Sequence, residues 1–300
     1  MNLTDPGTEQ LLSSLRSRGY DSAGGSFRTG RPDRTTIPLT TRAGLPVVAK
    51  LYPAGKGEGV FTNMIDVWRS SFGERRRPPG LPRPIEYLAE QGILIMERVD
   101  GVPLAERPHV EPSLLDDAVC LLASLHESNA KSTQMRSSKG IVKSIRRKAA
   151  TASTLAPEFQ EAFGTAAEAL DACRIEDQEL VASHGDFSPR NLVHGSDRLV
   201  LIDWDRFQTA DPARDLAYLG IWCWAGKVRQ RERSDWSVLE RTVAHYDSLR
   251  PQAAVRKRLP FHIAAGLIRI AHSVVELWPA ERPIVPRLLQ EAQYQLRMTS

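Results

Sequence analysis

Residues His184 to Asp215 read HGDFSPRNLVHGSDRLVLIDWDRFQTADPARD, and the fold is decided by how this stretch turns back on itself. Asn191 leads into apolar Leu192 and Val193. A polar turn follows at His194-Gly195-Ser196-Asp197, and Leu199-Val200-Leu201-Ile202 forms a second apolar run. Two short apolar runs around a glycine-containing turn predict a small β-hairpin. Asp203 stands where the second strand ends, so such a hairpin brings Asn191 and Asp203 side by side at one mouth. An amide oxygen beside a carboxylate suits a hard divalent ion such as Mg2+, which keeps waters and phosphate oxygens as its other ligands. Asp186 lies on the loop just before, placed to accept a proton from an incoming hydroxyl.

A base, an amide ligand and a carboxylate ligand form the constellation of phosphoryl transfer. The D-x-x-x-x-N spacing with a strand-terminal Asp downstream matches the catalytic half of the protein-kinase signature set. Asp and Asn also favour turns, but turn capping alone does not call for the whole run. His184-Gly185-Asp186, Asn191, Ile202-Asp203-Trp204-Asp205 and Asp211-Pro212-Ala213-Arg214-Asp215-Leu216-Ala217 together resemble the aminoglycoside phosphotransferase family of small-molecule kinases. The resemblance is concentrated in residues 180 to 220. It implies an α+β, bilobal, protein-kinase-like fold. Residues 1–97 are expected to form an N-lobe with an antiparallel sheet, and residues 98–300 a mostly helical C-lobe with the catalytic loop and acceptor pocket. It also implies ATP or GTP as donor, Asp186 as the catalytic group, and Mg2+ held by Asn191 and Asp203. Asp205 is a candidate bridging carboxylate, and His184 belongs to the supporting motif. Asp215, following Pro212, sits where an acid favours a helix start and would bond back to the catalytic loop.

The rest of the chain fits such an enzyme. Its 300 residues allow one large domain or two smaller ones, and 41% hydrophobic content is ordinary for a globular protein. A formal charge of +4 argues neither for nor against a nucleic-acid partner, and none is expected. Cys120, Cys173 and Cys223 are widely spaced and in no C-x-x-C pair, which suggests buried thiols of a reducing compartment. The start lacks a signal pattern, and the longest apolar run, Leu216 to Gly226, is too short to span a bilayer. A cytoplasmic protein without a membrane partner is the expectation.

In the N-terminal half, Leu11, Leu12 and Leu15 predict a short helix that Thr8 caps and Gly19 ends. Gly24-Gly25-Ser26 and Gly30 lie between predicted strands at 20–23 and 35–41. In a kinase this is the glycine loop over the phosphates, with Ser26 as the candidate contact, although an ordinary hairpin turn would use the same residues. Leu45 to Tyr52 is the strongest strand. Lys50 sits inside it between apolar neighbours and needs a partner there. The kinase resemblance makes Lys50 the lysine of the α and β phosphates. Its acid partner is expected on the next helix, 59–72, as Asp66 or else Glu58. That helix has Phe61, Ile65, Trp68 and Phe72 as its inward face. Strands follow at 84–88 and 92–96, and the resemblance makes 97–101 the connection between lobes. Backbone groups of Glu97 and Val99 would then meet the adenine.

From Glu111 the chain reads as helices. His126 is expected as a satisfied core histidine. The basic run from Lys131 to Lys148 is expected as a solvated helix face or lid, with contact to an anionic partner or substrate as the lesser alternative. Pro260 should kink or split the helix 253–277. Trp222, Trp224 and Trp236 are candidates for the acceptor pocket or the core. The interval from Asp203 to Asp215 is too short for a protein-kinase activation segment, and Trp204 and Asp205 stand where D-F-G has Phe and Gly. The acceptor is therefore expected to be a small hydroxylated molecule. No acidic pocket for a polycation is evident, which points to a neutral or amino sugar or another hydroxylated metabolite as readily as to an antibiotic. A nucleotide-binding pseudokinase or regulator on the same fold is the alternative.

Overall fold

The structure, a computed structural model, describes residues 6–23, 28–29, 35–53, 55–75, 80–107 and 110–298. The elements run α1 (Pro6–Ser17), β1 (Tyr20–Ser22), β2 (Arg28–Thr29), β3 (Thr35–Thr41), β4 (Pro46–Leu51), α2 (Gly57–Arg69), α3 (Ser71–Arg75), β5 (Pro84–Leu88), β6 (Ile93–Glu97) and β7 (Val102–Pro103). They continue with α4 (Pro112–His126), β8 (Met135–Arg136), α5 (Ser138–Leu155), α6 (Gln160–Ala172), β9 (Val181–Ser183), β10 (Leu192–His194), β11 (Leu199–Leu201) and β12 (Gln208–Ala210). The chain ends with α7 (Ala213–Arg229), α8 (Ser237–Leu249), α9 (Leu259–Leu277) and α10 (Val285–Arg297). Two compact units result: Met1–Val102 with Val193–Asp205, and Pro103–Leu192 with Arg206–Ser300. This is the expected α+β architecture of a sheet unit and a helical unit. The division lies a few residues beyond the expected one after Glu97, and the segment 193–205 goes with the sheet.

In the first unit an antiparallel sheet has the order β1-β3-β4-β6-β5, with β2 pairing β3. Alternation along β4 buries Val47 and Ala49 with Ile37, Leu39, Ile93, Ile95 and Leu15 of α1. Val48 and Lys50 therefore point to the opposite face. Helix α2 packs on β5 and β6. Its buried residues are Val60, Asn63, Met64 and Val67 rather than the expected Phe61, Ile65 and Trp68. The stripe is turned by one position because the aliphatic groups fill the interior, whereas Phe61 lies against Tyr87 with ring centroids 6.3 Å apart. The predicted hairpin forms as β10 and β11, closed by Gly195 N–H to Arg198 O at 3.0 Å. Leu201 N–H donates to Gly80 O at 2.9 Å, which ties the hairpin to the sheet unit.

The second unit is built around α9, which contacts α10, α7, α5 and α6 and is buried on most of its circumference. Pro260 lies in the first turn of α9 and does not split a longer helix. Its missing N–H would be unbonded at that position anyway, so proline starts the helix. A small sheet of order β8-β12-β9 supports the catalytic loop, with Ser183 opposite Gln208 and Arg136 opposite Ala210. Trp224 and Trp236 stack with centroids 5.5 Å apart, and Trp224 is buried, so this pair belongs to helix packing. Among the described residues no helix is long and apolar enough to cross a membrane.

Candidate active site

The first unit supplies a lysine held between two carboxylates. Lys50 and Tyr52 project on the same side because side chains alternate along a strand. Lys50 Nζ donates to Asp203 Oδ1 at 2.6 Å and to Asp205 Oδ1 at 2.7 Å. Tyr52 O–H donates to the same Asp205 oxygen at 2.6 Å. Asp66 and Glu58, the expected partners, are exposed residues of α2 and are not bonded to Lys50. The hairpin carries two carboxylates to the lysine from more than 150 residues away, and an acid on the next helix is not what holds it.

Asp203 has φ = +64°. Left-handed backbone is strained for a side chain with a Cβ, and Asp tolerates it better than most because its short polar group bonds locally. The bend ends β11 and turns the carboxylate onto Lys50. Trp204, directly after, is buried and donates its indole N–H to Leu201 O at 2.8 Å, which locks the turn. At the end of β6, Glu97 N–H is committed to Arg83 O at 2.9 Å, while its carboxylate accepts from Arg83 N–H and Arg198. Its side chain is thus a structural anchor, which the sequence reading did not foresee. Val99 lies two residues beyond Glu97, past the end of β6. Ser26 and its glycine loop lie outside the described residues.

The second unit supplies the catalytic loop. Asp215, buried in the first turn of α7, accepts His184 N–H at 2.9 Å and Gly185 N–H at 2.8 Å on its two oxygens. His126 Nε2 lies 3.2 Å from one of them, and His126 Nδ1 is 2.7 Å from Tyr246 O–H. Burial works against the Asp215 charge, but the His126 contact outweighs it and brings the carboxyl down to about 2. The loop is therefore strapped at its start by Asp215, whose carboxylate His126 contacts in turn. Gly185 has φ = +76°, and a Cβ there would stand 2.4 Å from Arg206 O, so the sharp turn admits only glycine.

Asp186 is 3% exposed. Its Oδ2 accepts from Arg190 Nη2 at 2.9 Å and lies 4.0 Å from Arg206 Nε. Its Oδ1 is buried and has no hydrogen-bond partner among the described residues. Burial opposes ionisation, yet Arg206, Arg190, Arg269 and His184 hold the carboxyl below its ordinary range. The group is an ionised acceptor with one oxygen open. Asn191 turns its amide nitrogen back to Asp186 O at 2.9 Å. That bond fixes the side chain and leaves the amide oxygen as its remaining polar atom. Among the described residues no set of three His, Cys, Asp or Glu is grouped to hold a metal. The Asn191 amide in one unit and the Asp203 carboxylate in the other are each hard-oxygen groups whose chemistry fits Mg2+ rather than a softer ion.

Arg190, Arg206, Arg269, Tyr52 and His126 were missed as site neighbours. Alternation from Lys50 was the one available signal for Tyr52, and the arginines meet only through tertiary contacts.

The model of a phosphotransferase enzyme family matches residues 39–251. No curated protein matches the sequence. Among solved structures, a thermostable aminoglycoside phosphotransferase mutant in complex with AMP-PNP and hygromycin B superposes with a TM-score of 0.70 at 13% identity, covering 98% of both chains. A spectinomycin phosphotransferase bound to ADP and spectinomycin gives 0.65 at 14% identity, covering 97% of this chain and 98% of that one. A choline/ethanolamine kinase family protein from Mesorhizobium loti gives 0.59 at 15% identity, covering 97% and 99%. Identities this low establish the shared fold.

Proposed function

Because the chain belongs to this phosphotransferase enzyme family, we propose that it moves the γ-phosphoryl group of ATP, or GTP, to a hydroxyl of a small molecule. The observation that carries this reading is Asp186: buried, ionised, on a strapped loop, with one carboxylate oxygen open. A carboxylate of that kind accepts the hydroxyl proton or aligns the acceptor oxygen for in-line attack. Asn191 and Asp203 would hold Mg2+, which supplies neutralisation of the charge on the β and γ phosphates. Lys50 holds the α and β phosphates, and Asp205 with Tyr52 keeps the ammonium in place. The Glu97 carbonyl and Val99 N–H take the edge of the base. Little covalent chemistry falls to the protein. Positioning and charge neutralisation supply most of the acceleration.

The test is the Asp186→Ala variant. It should bind nucleotide as the parent chain does and lose roughly two or more orders of magnitude in turnover. Turnover close to the parent's would remove Asp186 from the reaction.

A further inference from the structure

The arginines of the helical unit are of two kinds. One kind has acids: Arg229 bonds Glu281, Arg241 bonds Asp116, and the buried Arg250 and Arg258 bond Glu179 and Asp211. The other kind is hydrogen-bonded to no acid. Arg136, Arg214 and Arg269 donate to no hydrogen-bond acceptor among the described residues, and Arg206 reaches only Asp186, at 4.0 Å. Arg214 Nη1 is buried and orphaned. Arg269 lies 4.5 Å over the Tyr218 ring, which supports the guanidinium from one side and leaves its donors unused.

Separate elements bring these groups together. Arg136 is on β8, Arg206 precedes β12, Arg214 opens α7 and Arg269 lies midway along α9. Burial, then Arg269, Arg136 and Arg206, work against the Arg214 charge and bring it down to about 9, so it remains protonated at neutral pH. Burial likewise lowers Arg269, with Arg206 and Arg136 adding to the effect. The nearby carboxylates, Asp215 for Arg214 and Asp186 for Arg269, offset this only in part. Asp215 is committed to His126 and the loop N–H groups, and Asp186 is already shared by Arg190 and Arg206. All four are partly buried; an unpaired cation withdrawn from water is costly, and planar guanidinium forks match phosphate and carboxylate oxygens two at a time.

We propose that the acceptor is anionic: a small hydroxylated molecule bearing a phosphate or carboxylate, which Arg136, Arg206, Arg214 and Arg269 hold while its hydroxyl meets Asp186. This rests on the phosphotransfer reading of Asp186 and narrows its substrate. A polycationic acceptor is disfavoured by the same charges.

The experiment is calorimetric titration of the full chain with inorganic phosphate, glucose 6-phosphate, gluconate, glucose and kanamycin. Separate arms with Mg2+–AMP-PNP and with ADP release follow the nucleotide. Phosphate should bind, and whichever of glucose 6-phosphate and gluconate binds more tightly identifies the oxyanion preferred. Glucose and kanamycin should bind weakly or not at all. Arg269→Gln should weaken phosphate binding roughly tenfold or more, with the AMP-PNP affinity kept and Arg269→Lys intermediate. Arg214→Gln should do the same, and Arg269→Gln decides alone if that variant fails to fold. Absent phosphate binding, or binding indifferent to Arg269→Gln, overturns the proposal. So does ADP release with glucose or kanamycin but with neither anion, an outcome that leaves the kinase reading intact. Failure to bind Mg2+–AMP-PNP, with phosphate still bound, sinks the kinase reading instead.

Discussion

At the scale of single residues, the site depends on groups placed in conformations or environments that most positions avoid. Asp203 holds a left-handed backbone, and Asp186 is buried with an open oxygen. Gly185 lies at positive φ with no room for a methyl group. Gly185→Ala has to relieve a 2.4 Å approach to a backbone carbonyl as well as adopt strained torsions. The expected loss is about 1–3 kcal/mol of stability, with turnover reduced because Asp186 moves with the loop. Urea denaturation measures the first and steady-state kinetics the second. An alanine variant as stable and as active as the parent would show that the turn tolerates a side chain. His184-Gly185-Asp186 was readable as a unit from sequence. Why its middle residue must be glycine was not, since the reason is Arg206 O, brought back by the following hairpin.

At the scale of elements, α7 serves the catalytic loop through its first turn. Asp215 is buried, and its charge is held by two loop N–H groups and His126 of α4. Its folded value of about 2 lies below the ordinary 3.8. A depressed carboxyl contributes stability that is present above the unfolded value and is lost as pH falls through the folded one. Asp211 behaves the same way, at about 2, because burial of its charge is outweighed by His262, Arg258 and Ala213 N–H. Asp215→Asn should therefore be less stable at neutral pH by about 2–3 kcal/mol. Its stability should also fall less steeply between about pH 4 and pH 2, with the remaining slope due to Asp211 and the other depressed carboxyls, Asp186 among them. Denaturant melts across that range check it, and an unchanged pH slope would mean the carboxylate is not the titrating group. The position of Asp215 in a helix start was legible from Pro212 onward. Its partner His126 was legible only as a core histidine, because contacts between helices leave no mark in the spacing of either one.

At the scale of the whole molecule, nucleotide binding and folding are linked. A ligand that binds the folded chain at about a hundred times its Kd stabilises it by about 2.7 kcal/mol. Mg2+–ATP should raise the melting temperature accordingly, and Asp203→Ala should abolish most of the rise. A full Mg2+-dependent shift in that variant would show that Asp203 does not hold the metal. The amino-acid sequence alone determined the two-part α+β plan, the hairpin before Asp203 and the strand lysine, and it put forward Asp186, Asn191 and Asp203 as candidates. Each of these is written in local spacing: apolar runs, turn residues and short intervals between chemical groups. Tertiary structure alone decided that Lys50 pairs with Asp203 and Asp205 rather than Asp66, that α2 buries Val60 and Met64, and that Arg206, from beyond the hairpin, approaches Asp186. Those facts depend on which distant segments meet, and an ionic or packing partner is chosen by proximity in space, which local spacing does not encode.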